Sequence, residues 1–338
     1  MLNQTIKDLN KRFGEGSIEQ IKNMKDLDIE RVSTGCFSLD YVLGGGLPRG
    51  RVVEIYGAPS SGKSVCSLFF IKEVQKAGGK AAFFDAENTF AVDFAKSIGV
   101  NVDELFLSQS VAAEDVMNMI DELIKTNEMD LIVLDSVASL VPKKELEEEV
   151  GKQNIALQAR MMSQALRKII GTASKTKTSL VFLNQVRQKV GVFYGNPETT
   201  PGGMALKFYA SIRLKVKHGK NIMDPQNEEE VIGNFMDVEA VKNKVAAPFR
   251  KTTFEVIYTQ GINAAADVLD SGLKHGLITR KGSSYSYADT KLDVGRDHAI
   301  KALQANEKVY QEIVGQLNKI YYEEPKDKPT KEAPKGDA

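Results

Sequence analysis

Gly57-Ala58-Pro59-Ser60-Ser61-Gly62-Lys63-Ser64 follows the apolar run Val52–Tyr56 and opens a helical segment, Lys63–Lys76. This is G-x-x-x-x-G-K-S between a buried strand and a helix, the context in which that spacing cradles phosphate. Gly57 and Gly62 let the backbone bend tightly enough for successive N–H groups to point inward. The helix N-terminus adds partial positive charge. Lys63 is placed to reach the β- and γ-phosphates of a nucleotide, and the Ser64 hydroxyl to ligate Mg²⁺. All eight residues are therefore expected to bind nucleotide.

Outward from this loop the same alternation repeats. Ala81–Asp85 reads as a strand, about 113–125 as a helix, Leu131–Asp135 as a strand, about 155–175 as a helix and Leu180–Asn184 as a strand. Near-continuous apolar strands separated by helices argue an α/β fold with a mostly parallel sheet covered on both faces. Ser211–Lys217, Asp237–Ala246 and Thr253–Tyr258 are strand-like without intervening helices, so the sheet should end in antiparallel pairs. At the start, Leu2, Ile6, Leu9 and Phe13 fall on one face of a short amphipathic helix, which must lie against something. Around Gly261 the pattern changes, and 264–320 reads as a small α+β domain with a hairpin-like S-S-Y-S-Y. The expected divisions are 1–28, an N-terminal helix and linker; 29–262, the core; 263–322, the small domain; and 323–338, a Pro/Lys/Glu-rich tail expected to be disordered.

Composition narrows the class. Of 338 residues, 42% are hydrophobic and 27% charged, an ordinary globular balance. No run of 18 apolar residues and no leader-like N-terminus appears, so neither membrane spanning nor secretion is expected, and a cytoplasmic location is. Cys36 and Cys66 stand far apart, and His218, His275 and His298 are scattered, so no metal cage is expected. Net charge is formally zero, but from Gly151 to Pro197 there are eight Lys or Arg and no acid. Extending to Lys220 adds five more cations and one acid, Glu198. Such a stretch suits a polyanion such as a nucleic-acid backbone, or a solvated face balanced elsewhere in the fold.

Further candidates line the strand ends. Asp135 closes L-I-V-L-D, where a carboxylate would orient Mg²⁺ through water. F-F-D-A-E offers Asp85 and Glu87; either could polarise an attacking water, and either could be a cap or surface acid. The stretch 184–203 leaves a strand through Gln185 and is long, polar and Gly/Pro-rich, as functional loops are. It mixes Arg187 and Lys189 with Phe193 and Tyr194, a combination suited to single-stranded nucleic acid. A second loop, 147–156, precedes the basic helix bearing Arg160 and Arg167.

Taken together, G-A-P-S-S-G-K-S, F-F-D-A-E, L-D-S-V-A-S-L-V-P, A-R-M-M-S-Q-A-L-R, N-Q-V-R, F-Y-G-N-P-E-T-T-P-G-G-M-A-L-K-F-Y-A and V-K-N-K-V-A-A-P-F resemble the bacterial RecA recombinase family, in consistent order from about residue 8 to about 320. The resemblance implies a RecA-type ATPase core that polymerises helically on single-stranded DNA, with ATP between neighbouring subunits. It would then pair with duplex DNA and exchange strands in recombination and repair, with co-protease action on a LexA-like repressor where one exists.

By the same resemblance, Glu87 is the catalytic glutamate and Gln185 the γ-phosphate sensor. Lys242 and Lys244 reach the neighbour's nucleotide; without the resemblance they read as a half-exposed strand face. Phe94 and Tyr258 would line the nucleotide, Phe208 would lie at the subunit interface, and the N-terminal helix would pack on the next protomer. Arg160, Ser163, Arg167, Arg187, Lys189, Tyr194, Gly202 and Gly203 would contact DNA. Three departures stand out. Ala91 replaces a polar residue at the adenine edge and Phe94 a tyrosine; Ile155 replaces a methionine; and the tail is nearly neutral instead of acidic. Two other classes use such a loop. A P-loop kinase needs a lid with convergent arginines, where 184–203 ends in Pro-Gly-Gly. A related RecA-fold helicase or a non-hydrolysing ATP switch is the third reading; Glu87 and Gln185 argue against the switch, and the lack of a zinc-finger cysteine set near the N-terminus argues against some repair relatives.

Overall fold

The computed structural model describes residues 1–20, 28–149, 156–188 and 198–323. The chain divides into two compact units, 1–30 and 31–338. In the first, α1 (Leu2–Phe13) buries no residue, and Leu2 and Phe13 are largely exposed. After it, Asn10 and Ile18 exchange hydrogen bonds of 3.0 and 2.9 Å that tie the following turn to the helix.

In the second unit, β1 (Arg31–Val32) pairs antiparallel with β2 (Leu47–Pro48) around α2 (Phe37–Leu43). Then come β3 (Val52–Gly57), α3 (Lys63–Lys76), β4 (Ala81–Asp85), α4 (Val92–Ser97), β5 (Phe106–Ser108), α5 (Ala113–Lys125), β6 (Leu131–Asp135), α6 (Lys143–Glu147), α7 (Leu157–Thr176) and β7 (Ser179–Gln185). A two-residue ribbon, β8 (Arg187–Gln188) with β9 (Glu198–Thr199), leads to α8 (Ala205–Tyr209). The rest of the main sheet is β10 (Ile212–Asp224), β11 (Asn227–Asn243), β12 (Lys251–Ile257) and β13 (Gly261–Ile262).

The nine strands run in the order β13-β12-β11-β10-β3-β7-β6-β4-β5. From β10 to β5 every neighbour is parallel, and β10 to β13 pair antiparallel. The mixed sheet expected from the sequence is the one found. Alternation along each strand divides its side chains between two cores. Val53, Ile55, Phe83, Val133 and Leu183 meet α3 through Cys66, Phe69, Phe70 and Val74. Val52, Phe84, Ile132, Leu134 and Phe182 meet α5 and α7 through Val116, Ile120, Met162, Leu166 and Ile169. Both faces are dry, which is why these strands read as unbroken apolar runs. Truncating a fully buried ring such as Phe70 to alanine would cost about 3–5 kcal/mol.

The β10–β11 hairpin extends beyond both strands expected there. Its outer half carries Lys220, Asn221, Asp224 and Asn227 and covers no core, so it shows no apolar alternation. At the other end β11 stops at Asn243, not Ala246. The Asn243 Oδ1 accepts from the backbone N–H of Val245 and of Ala246 at 2.9 and 2.8 Å, turning the chain out of the sheet.

Beyond β13, α9 (Ala264–Lys274), β14 (Ile278–Lys281), β15 (Ser284–Tyr287), β16 (Thr290–Val294), α10 (Arg296–Ala305) and α11 (Glu307–Asn318) enclose a third hydrophobic core. The S-Y-S-Y stretch is the middle strand of a three-stranded antiparallel sheet, with Tyr285 and Tyr287 inward and the serines outward.

Candidate active site

Lys63, Ser64, Glu87, Asp135 and Gln185, from four chain segments, converge where the parallel strands end. This is the edge at which open α/β sheets present ligand sites. β3 runs into the phosphate loop at Gly57, paired with Gln185 at the end of β7; beside them Asp85 and Asp135 end β4 and β6 as a register pair. The loop is built as the spacing requires. Gly62 has φ +89° and would press a Cβ onto the Met236 methyl at 2.5 Å; a Cβ on Gly57 would stand 2.3 Å from the Val216 carbonyl. Only glycine fits either position.

The cleft above this loop has a volume of about 400 Å³ and is lined by Pro59 to Val65, Glu87, Asp135, Gln185 and Tyr258, among others. Ser61 Oγ is buried with no partner among the described residues. The Lys63 ammonium folds back onto the Ala58 carbonyl at 2.8 Å. Burial lowers the Lys63 pKa, while the charges of Asp135 and Glu87 oppose the shift. Ser64 donates to Asp135, whose carboxyl is pushed up to about 6 by burial despite that bond. An unpartnered hydroxyl, a folded-back cation and a poorly compensated carboxylate fit a site shaped for phosphate and a divalent cation. Among the described residues no group of three His, Cys, Asp or Glu could cage a metal; an ion here would draw on Ser64, Asp135, phosphate and water.

The two carboxylates of F-F-D-A-E have different surroundings. Asp85 is fully committed: its carboxylate accepts from the N–H groups of Thr89 and Phe90 at 3.1 and 2.9 Å and from Gln109 Nε2 at 3.2 Å. It caps the turn after β4. Glu87 faces the cleft instead. Its Oε1 accepts from Ser136 Oγ at 2.5 Å, Gln185 Nε2 at 3.0 Å and Ser139 Oγ at 3.3 Å. That leaves Oε2 without a donor among the described residues. Ser136 and Ser139 were not singled out as site residues from the sequence, although they follow Asp135 directly in L-D-S-V-A-S.

Phe94 and Ala91 lie beside the loop, around a smaller cavity of about 110 Å³ that shares Ser64 and Asp135 with the main cleft. Lys242 and Lys244 line neither cavity. The Lys242 ammonium donates to the carbonyls of Lys207 and Phe208 at 2.6 and 2.9 Å, and Lys244 is exposed. Phe208 itself is largely exposed.

Of the expected DNA residues, those on α7 and at 202–203 come together. Arg160, Ser163 and Arg167 share one face of α7, where Arg167 Nε donates to the Ser163 carbonyl at 3.2 Å. Gly202 and Gly203 have φ of +81° and +77°. A Cβ there would stand 2.8 Å from Val137 Cγ1 and 2.7 Å from Ala159 Cβ, so this segment seats against Val137 and α7 only as glycine. Arg187 sits exposed in β8. Lys189, Phe193 and Tyr194, together with Ile155 and residues 324–338, lie outside the described residues.

A mostly parallel sheet with a phosphate loop after its central strand defines a P-loop nucleotide-binding protein of ATPase type. The comparisons with known proteins narrow this. Residues 1–263 match the RecA N-terminal domain and 266–321 the RecA C-terminal domain. Proteins named Protein RecA are similar throughout. That of Bacteroides thetaiotaomicron is 46% identical over 315 residues, spanning 93% of this chain and 94% of its own. That of Clostridium acetobutylicum is 44% identical over 321 residues, spanning 95% and 91%. That of Gloeobacter violaceus is 47% identical over 312, spanning 92% and 84%. The chain belongs to the RecA family, the recombinases of DNA recombination and repair. No helix among the described residues is long and apolar enough to cross a membrane.

Proposed function

We propose that this chain is an ATP-dependent recombinase of the cytoplasm. It forms filaments on single-stranded DNA, hydrolyses ATP to ADP and phosphate when DNA is bound, and pairs and exchanges homologous strands. The observation that carries this reading is the 3.0 Å hydrogen bond from Gln185 to Glu87. It joins a candidate general base in the nucleotide cleft to the end of β7, where the stretch 184–203, expected to touch DNA, leaves the sheet.

The chemistry follows from these positions. Backbone N–H groups of the 57–64 loop and Lys63 hold the phosphate oxygens. A Mg²⁺ ion, held by Ser64 and through water by Asp135, would supply neutralising charge on the β- and γ-phosphates. Glu87 takes the proton of the attacking water at Oε2, which has no competing donor among the described residues, while Ser136 and Ser139 hold the carboxylate in place through Oε1. Gln185 donates to the same oxygen, so a loop that draws Gln185 towards phosphate or DNA changes how Glu87 is held. Lys242 and Lys244, away from their own cleft, act on the nucleotide of a neighbouring subunit, stabilising transition-state charge in trans.

Self-association is supported by two unmatched apolar surfaces. α1 has an apolar stripe that buries nothing, and the edge strand β5 with α5 exposes Phe106, Leu107 and Met119 around a cleft of about 960 Å³. The α1 of a second copy suits that cleft. Action on a LexA-like repressor belongs to the same reading and depends on the filament forming. The test is steady-state ATP turnover with and without single-stranded DNA, followed by strand exchange with homologous duplex. ATP turnover indifferent to DNA would overturn the proposal.

A further inference from the structure

β3 is apolar apart from Glu54 and Tyr56, and Glu54 is wholly buried three residues before the phosphate loop. Each flanking strand sets one donor against it. Arg213, its register partner on β10, donates from Nε to Oε2. Asn184, two residues beyond its partner Phe182 on β7, donates from Nδ2 to Oε1 at 3.2 Å. The Asn184 amide also donates to the carbonyl of Pro201 at 3.1 Å, and its Oδ1 accepts from the N–H of Gln185 at 3.0 Å. The Arg213 guanidinium lies over the Tyr56 ring, 4.6 Å from its centre, and Arg213 stands opposite Lys242 on β11. One carboxylate therefore touches the phosphate-loop strand, the arginine beside Lys242 and, through Asn184, both ends of the segment 185–201.

A buried ion pair is a poor source of net stability; in some proteins it serves instead to specify one geometry. We propose that Glu54, acting through Asn184, is a positioning residue that holds Gln185 and Pro201 at a set spacing. A displacement of Gln185 by nucleotide is thereby delivered to Gly202 and Gly203, and a displacement of the loop by DNA is delivered back. This deepens the reading of Gln185 given above and rests on it.

The test uses the full chain. Asn184→Ala should bind a fluorescent ATP analogue within twofold of wild type and keep DNA-free turnover within twofold, while stimulation by single-stranded DNA falls at least tenfold. A wild-type stimulation ratio would overturn the proposal. So would equal loss of binding, basal and stimulated turnover, which is the mark of a purely structural role. Two double variants isolate the contact from the charge pair. Glu54→Gln with Arg213→Met keeps an acceptor for Asn184 and should keep stimulation; Glu54→Leu with Arg213→Met removes it and should lose stimulation. Indistinguishable behaviour of the two counts against the proposal. If wild-type turnover does not respond to DNA at all, the functional reading fails, and amide exchange still judges the coupling. Nucleotide should slow exchange at 202–203 in wild type and not in Asn184→Ala; no slowing in wild type overturns it.

Discussion

Asp135 in the nucleotide cleft and Asp40 where α2 meets the small domain are both pushed up to about 6 by burial. Their surroundings differ. Asp135 receives one side-chain hydrogen bond, from Ser64, beside an unpartnered Ser61 hydroxyl. Asp40 is completed by the fold: Thr34 N–H donates to Oδ1 at 2.9 Å, and Ser33 Oγ and Tyr322 OH donate to Oδ2 at 2.8 and 2.5 Å. Beside it Asp267 accepts from the N–H groups of Phe37 and Ser38 at 2.6 and 3.0 Å. Desolvation shifts both aspartates alike. What separates a group awaiting a ligand from a group built into the core is whether its hydrogen bonds are complete. The Asp135 carboxylate in the cleft is unfinished and the Asp40 carboxylate at the seam is finished.

The largest effects should follow from the cleft and leave stability alone. Lys63→Ala is expected to lower ATP turnover by about 10²–10³, the usual loss when a cation aimed at developing charge is removed. Because burial already disfavours that ammonium, the nucleotide-free variant should melt no earlier than wild type. Glu87→Gln should keep nucleotide binding and lose hydrolysis by about 10²–10⁴. Thermal melts with and without ATP, beside turnover, check both. Wild-type hydrolysis by Glu87→Gln would remove the general base from the argument, and a large fall in apo stability for Lys63→Ala would make the cleft look as finished as the seam.

The seam should show the opposite signature, stability without activity. The folded pKa of Asp40 lies above the 3.8 of an unperturbed aspartate. The native state therefore holds that proton more tightly than the unfolded chain does. This contribution to stability is complete below about pH 4 and is lost as pH rises through about 6; a two-unit separation is worth up to about 3 kcal/mol. Asp40→Asn should erase that part of the pH dependence while nucleotide affinity at pH 7.5 stays within twofold. Parallel pH–stability profiles for variant and wild type between pH 4 and 6.5 would show that the titration sits elsewhere.

The same contrast explains what the sequence could reveal. The cleft is legible because its chemistry is local: eight consecutive residues build the phosphate loop, Asp85 and Asp135 each end an apolar strand, and Glu87 follows two residues after β4. The choice between Asp85 and Glu87 was not legible from the strand pattern, since it turns on which carboxylate Thr89, Phe90 and Gln109 occupy. Lys242 and Lys244 stayed equally mute, because nothing in strand alternation says that their work lies outside their own cleft. The seam is invisible for the reason that long-range contacts always are. Asp40 and Tyr322 stand 282 positions apart and Phe37 and Asp267 stand 230 apart, with no shared periodicity. Glu54 is the intermediate case. A charge inside V-V-E-I-Y is conspicuous, but its partners come from β7 and β10.

The smallest effect tests whether the seam is finished hydrogen bond by hydrogen bond. Tyr322→Phe keeps the ring, which lies 6.4 Å from Phe37 and 6.2 Å from Tyr321 between centres, and removes only the hydroxyl. That hydroxyl donates to Asp40 Oδ2 and lies 2.9 Å from Ser33 Oγ. Two donors remain on the Asp40 carboxylate, so no buried charge is left bare and the penalty should stay near that of one ordinary hydrogen bond, about 1 kcal/mol. A donor lost from a carboxylate also disfavours its charged form, so the Asp40 transition should move to higher pH. Denaturant melts at pH 5 and 7.5 measure both quantities. The loss should be larger at pH 7.5, where Asp40 is charged and the missing donor is felt, than at pH 5. An equal loss at both pH values would mean that the hydroxyl acts through packing and Ser33, leaving Thr34 and Ser33 to account for the finished state of Asp40.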